Sequence, residues 1–321
     1  MKKMILDMLQ SHYAITPYAL IEMEGGWSAS AYKAVTEKGS RFVKVYDKHR
    51  PSIQSWIERT EAYMPIVLWL HEHTALRDKM IAPLLTEDGA YKVEDDDFLF
   101  IAFPFLDGAS LCESPLSASQ AHQLAEILAT LHSYNDSIPV PTKDIMEDFS
   151  LPFFDKLSSY VALQGTPSAI AATLDHYADS ILAAMETLAP LSDQLRSAQI
   201  PLVLCHTDVH GWNLMQTAGG LVLIDWEGLR LAPAEADLFS FTDGFFFDDA
   251  SEAFFAAYAA FRPEYSVDKS VMDFYRLRRR LEDIEAFADS LLHDSLSAEE
   301  VSRSLYHLEK ECSFLPPHKR P

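Results

Sequence analysis

The sequence predicts an α+β fold in which a small sheet-rich part precedes a large helical one. Three observations carry that expectation. Short runs alternating apolar and polar residues dominate as far as residue 103. Helical periodicity begins at residue 117 and recurs to residue 311. Between them Pro104-Phe105-Leu106-Asp107-Gly108 fits neither period. The 321 residues suffice for one large or two ordinary domains. The expected division is 1–107 and 108–321, with the linker near 104–108.

Taken in order, residues 3–12 read as a short helix. Residues 18–24, 31–36 and 41–46 (RFVKVY) read as strands, separated by turns at Gly25-Gly26 and Lys38-Gly39-Ser40. Residues 52–74 read as a helix in which Pro65 marks a kink or restart. Within 80–106, MIAPLL, AYKV and DFLFIAF read as two or three further strands, with Glu87-Asp88-Gly89 as a tight turn. Residues 117–133 have a helical period, and Ser117 or Ser119 can cap their start. Further helices are expected at 152–163, 167–189, 235–243, 250–260, 269–292 and 297–311. Strand character interrupts them only near 202–204, 213–216 and 221–225.

An apolar content of 48% and a charged content of 23% suit a soluble globular protein. The net charge of −22 is uneven: residues 1–107 carry −4 and residues 108–321 carry −18. That balance disfavours nucleic acid and anionic membrane as partners, since both select Lys/Arg patches, and it suits a cationic substrate. The three cysteines have neither metal spacing nor an even framework, so free thiols in a reducing compartment are expected. Asp7 interrupts the apolar character of MKKMILDMLQ, which reads as neither signal peptide nor membrane span. A cytoplasmic protein is expected.

The chemistry concentrates between Cys205 and Phe239. Asp208 follows the apolar run PLVLC, Asn213 lies five residues on, and LVLI leads into Asp225. Phosphoryl transfer needs few protein groups: a carboxylate to orient the hydroxyl nucleophile, and an Asn and an Asp to hold metal on the triphosphate. Asp208 is the candidate base. Asn213 and Asp225 offer the hard oxygens that Mg²⁺ takes, at one end of a hairpin turned by Gly219-Gly220. His206 is expected to brace the loop, and Asp237 to anchor its backbone from the start of a helix.

Upstream, Lys44 sits in the alternating strand RFVKVYD, where it can meet phosphates and pair with a helix glutamate, Glu61 in preference to Glu58. Gly25 and Gly26, with Ser28 and Ser30, form a turn able to cover phosphates. In the linker, Pro104 keeps its carbonyl as acceptor and Leu106 offers an N–H donor, as an adenine edge requires. ATP is the expected nucleotide, with GTP left open.

The pattern H-x-D-x-x-x-x-N, then I-D-W, then L-A-P-x-E-x-D-L resembles the aminoglycoside phosphotransferase and choline kinase superfamily, and within it the spectinomycin phosphotransferase group. The resemblance extends from HYAI and EGGWSASAY through FVKVYD, IAFPFLDG and CHTDVHGWNLM to FYRLRRRLEDIEAF. It implies a protein-kinase-like bilobal fold and assigns Asp208 as base, Asn213 and Asp225 as Mg²⁺ ligands, and Lys44 with Glu61 as the phosphate-binding pair. The chain departs from protein kinases in lacking G-x-G-x-x-G. Trp212 beside the metal asparagine is a further departure. Only seven residues separate Asp225 from Pro233, too few for an activation segment, which favours a small-molecule acceptor over a protein.

Acceptor recognition is expected from the acidic helical part: Asp243, Glu282 and Asp283, with Trp212, Trp226 and Glu227 at the pocket mouth. An amine-bearing hydroxyl compound such as an aminocyclitol or aminoglycoside fits such carboxylates. Choline, homoserine, methylthioribose and sugar amines are rival acceptors. A non-catalytic nucleotide-binding module is the alternative of another class.

Overall fold

The structure, a computed structural model, describes residues 1–23, 29–162 and 169–316. Helix α1 (Lys2–Tyr13) precedes strands β1 (Ala19–Met23), β2 (Ser30–Val35) and β3 (Arg41–Asp47). Helix α2 (Gln54–His73) follows, then β4 (Val93–Glu94) and β5 (Phe98–Pro104). The five strands form one antiparallel sheet in the order β1-β2-β3-β5-β4. Ile5, Met8 and Leu9 share one face of α1, as i, i+3, i+4 spacing requires, and cover Val43, Val45, Phe100 and Ala102. Strand alternation turns Tyr46, Leu99 and Ile101 to the opposite face, into the larger core, and sends Lys44 the same way.

The helical lobe contains β6 (Gly108–Ser110), α3 (Ala118–Leu131), α4 (Phe154–Val161), α5 (Ala169–Ser197) and β7 (Val203–Cys205). It continues with β8 (Leu214–Thr217), β9 (Gly220–Leu223), β10 (Arg230–Ala232), α6 (Glu235–Leu238), α7 (Ser251–Phe261), α8 (Lys269–His293) and α9 (Ala298–Ser313). Ser117 caps α3 through a reciprocal box with Gln120. Strands β6, β8 and β9 form a small sheet, and β7 pairs with β10. These two ladders carry the loops of the site. β6 and β10 escape sequence reading because three residues are too few to show a period.

Two expected elements differ. MIAPLL is no strand: Met80 makes one isolated bridge to Leu223, Pro83 has no N–H, and Leu84 donates once, to Ala102 O. Helix α2 runs unbroken through Pro65, which forgoes only its bond toward the carbonyl of solvent-facing Glu61. Two glycines sit where backbones touch. A Cβ on Gly108 would lie 2.5 Å from Gln216 O, and one on Gly211 would lie 1.9 Å from Cys112 O. No helix of the described residues is long and apolar enough to cross a membrane.

Glu147 fixes α8 against β10. Its Oε2 accepts from Arg278 Nη1 at 2.8 Å and from the Tyr275 hydroxyl at 3.3 Å, and its Oε1 accepts from Phe149 N–H at 2.8 Å. Arg230 Nη1 stands 3.8 Å away. Burial pushes this carboxyl up, but Arg278 and Arg230 outweigh it and hold the pKa below the ordinary 4.5. A depressed pKa contributes stability above the unfolded value and loses it as pH falls through the folded one. Glu147→Gln is therefore expected to cost on the order of 3 kcal/mol at pH 7. In urea titrations the gap from wild type should narrow as pH falls below 4.5.

Candidate active site

The site begins at Asp237, in α6, whose side chain is fully buried. Its Oδ2 accepts from His206 N–H at 2.9 Å and its Oδ1 from Thr207 N–H at 2.5 Å. His132 Nε2 donates to the same Oδ2 at 2.9 Å, and His132 Nδ1 accepts from the Tyr258 hydroxyl at 2.7 Å. His132, Cys205 and Asp237 stand close enough to hold a cation. Three donors already engage both oxygens of Asp237, however, and Cys205 Sγ turns to Pro233 O at 3.3 Å. The cluster is an anchor for the loop.

Thr207 needs that anchor, since its φ of 67° is left-handed, at a cost of about 1–3 kcal/mol for a β-branched residue. His206 holds the next turn: Nε2 donates to Ile224 O at 2.9 Å, and Nδ1 accepts from Asp208 N–H at 3.3 Å. Burial lowers its pKa and keeps the ring neutral in this role. Trp226 lies edge-on to His206 at 4.9 Å and donates from Nε1 to Leu223 O at 3.2 Å. With 4% exposure it forms the floor beneath the loop, not the mouth of a pocket, which corrects the expectation for this residue.

On this base stand the polar groups. Asp208 Oδ1 accepts from Arg279 Nη1 at 2.8 Å, and Oδ2 accepts from Asn213 Nδ2 at 2.9 Å. His210 Nε2 is 3.3 Å from Oδ2. Burial pushes the Asp208 carboxyl up, yet His210 and Arg279 prevail and hold it well below the carboxylate range. Asn213 Nδ2 also donates to Asp208 O at 2.9 Å, so the amide oxygen is the atom it offers to a cation.

Asp225, at φ 65°, accepts from Lys44 Nζ at 2.6 Å, and Glu227 accepts from the same nitrogen at 2.6 Å. The Tyr46 hydroxyl donates to Glu227. Burial and Glu227 raise the Asp225 carboxyl to about 6 against the pull of Lys44. Burial opposes ionisation of Glu227 as well, but Lys44 holds it below its ordinary value. One ammonium between two carboxylates leaves a net negative charge, and the Asn213, Asp225 and Glu227 oxygens are hard donors. The residues therefore fit a divalent cation.

The structure brings Asp208, Asn213, Asp225 and Lys44 together, but not Glu61. Helix phase turns Thr60, Met64 and Val67 inward and leaves the Glu61 side chain 65% exposed, bonded to Lys92 Nζ at 2.6 Å and to the Tyr91 hydroxyl at 2.5 Å. The expected Lys44–Glu61 pair is absent, and Glu227 stands in its place. That also moves Glu227 from the expected acceptor mouth to the lysine side of the site.

Ser30 opens β2 and is exposed, while Gly25, Gly26 and Ser28 lie outside the described residues. Phe105 N–H is tied to Ser40 O at 3.4 Å, so the planar peptide points Pro104 C=O the other way. Leu106 follows in the irregular linker, half-buried. Trp212 is 56% exposed, and Asp243 is exposed on the loop after α6.

Glu282 and Asp283 are not open carboxylates. Arg278 Nε donates to Glu282 at 2.8 Å, and Arg279 Nε donates to both Asp283 oxygens at 2.9 and 2.8 Å. The i,i+4 spacing in RRRLED, which is as compatible with internal Arg–carboxylate pairing as with acceptor binding, carries these pairs. Sequence reading missed the contacts of Arg279 and His210 with Asp208, and that of Tyr46 with Glu227.

A sheet-built lobe, a helical lobe and this polar set on their shared side define a bilobal kinase-like fold. The model of the phosphotransferase enzyme family matches residues 20–277. The chain belongs to that family of small-molecule kinases. It is 25% identical over 222 residues to protein StrN of Streptomyces griseus, a match spanning 65% of this chain and 64% of the relative's length. The fold is shared with spectinomycin phosphotransferase APH(9)-Ia in complex with ADP and spectinomycin. That likeness has TM-score 0.76, 23% identity, and coverage of 98% of this chain and 94% of the other. It is shared too with amicoumacin kinase hAmiN bound to AMP-PNP and Ca²⁺, at TM-score 0.65, 16% identity and coverage of 98% and 94%.

Removing the anchor tests the loop's architecture. Asp237→Ala leaves the His206 and Thr207 N–H groups and His132 Nε2–H without their acceptor, an expected cost on the order of 3 kcal/mol. Denaturant unfolding reads the loss, and hydrogen exchange should accelerate at the His206 and Thr207 amides.

Proposed function

We propose that the chain is an ATP- and Mg²⁺-dependent O-phosphotransferase acting on a hydroxyl of a small, amine-bearing acceptor of the aminocyclitol or aminoglycoside kind. The observation that carries this reading is the convergence of Asp208, Asn213 and Asp225 from one loop and hairpin with Lys44 from the facing sheet. In this reading residues 1–107 bind nucleotide, residues 108–321 bind the acceptor, and 104–108 joins them, with the adenine edge at Pro104 and Leu106. The protein would work in the cytoplasm, where ATP is made.

Bound Mg²⁺·ATP would supply the phosphoryl group and charge neutralisation, held by Asn213, Asp225 and Glu227 oxygens and by Lys44. Asp208 accepts a hydrogen bond from the acceptor hydroxyl, aims its oxygen, and takes the proton as the new ester forms. Its depressed pKa makes it a weak base, which suits a loose transition state where orientation matters more than basicity. Asp237 and His206 hold the loop while this happens.

Acceptor charge is read from the 243–250 segment, since Glu282 and Asp283 are already paired. Asp243, Asp248 and Asp249, with Phe241 and Ser251, line an open depression of about 470 Å³. Phe246 of the same loop lies 5.2 Å from the His210 ring and so borders the base. An ammonium-bearing ring compound is the complement of such a rim. Two relatives of the same fold, spectinomycin phosphotransferase and amicoumacin kinase, support the class without fixing the compound.

The deciding experiment is an acceptor screen with Mg²⁺·ATP, including spectinomycin, choline, homoserine, methylthioribose and sugar amines, with mass detection of a phosphorylated product. Nucleotide binding without transfer to any acceptor or to water would mark a non-catalytic module instead. Asp208→Ala is expected to lower kcat by about 10²–10⁴-fold, with ATP affinity by calorimetry little changed. Glu61→Ala should leave ATP affinity within about twofold, whereas Glu227→Gln should weaken it about tenfold, as loss of a charged hydrogen bond of about 1.5 kcal/mol implies.

A further inference from the structure

We infer that Arg279 is the positioning residue of the transfer step: it fixes the Asp208 carboxylate for the acceptor hydroxyl, and Asp283 holds the arginine from behind. This rests on the phosphotransferase reading of the site. Helix α8 has no part in the sequence motif that carries that reading, and Arg279 lies 71 residues from Asp208.

An ionised carboxylate offers about four lone-pair positions, two on each oxygen. Arg279 Nη1 takes one on Asp208 Oδ1 at 2.8 Å. Asn213 Nδ2 takes one on Oδ2 at 2.9 Å, and His210 Nε2, 3.3 Å from both Oδ2 and Asn213 Nδ2, stands over the approach to the other. The position left for a hydroxyl is the second one on Oδ1, the oxygen that Arg279 already holds. The nucleophile therefore binds beside the guanidinium, and the direction of that lone pair is set by where the guanidinium stands.

Arg279 is itself immobilised. Its Nε donates to both oxygens of Asp283, one turn further along α8. Its guanidinium carbon lies 5.8 Å from the Phe246 ring centre. A planar fork can serve two carboxylates at once, which an ammonium cannot do with the same fixed geometry. The neighbouring arginines are engaged elsewhere, Arg278 with Glu147 and Glu282, and Arg280 with Glu311. Among the described residues, Arg279 is the member of the run that reaches the loop. A guanidinium that merely capped Asp208 would act in the opposite sense, blocking the oxygen until it left.

The test uses the full chain with Mg²⁺·ATP and water as acceptor, read by phosphate release, together with ATP affinity by calorimetry. Arg279→Met is expected to lower turnover by about 10–100-fold, the usual cost of removing an outer partner, with the ATP dissociation constant within twofold. Arg279→Lys should recover part of the rate, and millimolar guanidinium should restore part of it in the Met variant. Unchanged or faster turnover in Arg279→Met overturns the proposal, and a rise shows a cap. The double variant Arg279→Met/Asp283→Asn removes the stranded carboxylate and guards against misfolding. It should stay as slow as Arg279→Met, and wild-type speed there would show that the arginine only neutralises Asp283. If the wild type hydrolyses no ATP, the phosphotransferase reading is decided by the acceptor screen, and crystals of the double variant decide the positioning claim. The Asp208 carboxylate should then move by more than about 0.5 Å; unmoved, it refutes the inference.

Discussion

The site depends on one carboxylate that takes no part in its chemistry. Asp237 receives the two consecutive amides at which β7 stops being a strand, and so sets where the loop turns. Those bonds, with the Thr207 hydroxyl donating to Gly228 O at 2.8 Å, hold Thr207 left-handed and so set where Asp208 stands. The anchor is doubled behind, by His132 from α3 and Tyr258 from α7, so two core helices brace a single turn. Preorganisation of this kind is costly in burial, because three polar side chains leave water. Complete mutual hydrogen bonding offsets that cost.

Charge is distributed with the same economy. The helical part is strongly acidic, yet the carboxylates nearest the base are neutralised within α8. Carboxylates outside the α8 pairs collect on the 243–250 rim and at the Asp225–Glu227 end. The first suits an organic cation and the second a metal ion. Lys44 sits between the two carboxylates of that second end.

What was legible in the sequence follows from distance along the chain. Asp208, Asn213 and Asp225 lie on one loop and one hairpin, so spacing alone predicts their convergence. Lys44 is legible because alternation in a strand has only two outcomes. Glu61 was misread because a helix has a continuous phase, and Lys92 and Tyr91, which claim that glutamate, give no local sign of doing so. Trp226 was misread because nothing local shows that its indole N–H is buried and donates to a carbonyl three residues back. The division into a sheet part and a helical part was visible in periodicity, but β6 and β10 were not. The reach of Arg279 to Asp208 was beyond any local pattern.

The run Arg278-Arg279-Arg280 has a consequence for how this chain can vary. Successive residues of an α-helix are about 100° apart, and the three guanidiniums use that rotation to grip three separate pieces of the molecule. Arg278 grips the segment before α4, Arg279 the loop after β7, and Arg280 the rim at Gly244 together with α9 through Glu311. Between the Phe245 and Phe314 rings, Arg280 also ties the rim to the residue just after α9. The helix works like a keyed shaft. Substitutions at its exposed positions are tolerable, but inserting or deleting one residue upstream would turn every key out of its slot at once. Length variation among descendants of this chain should therefore fall in the connections on either side of α8 and spare its interior.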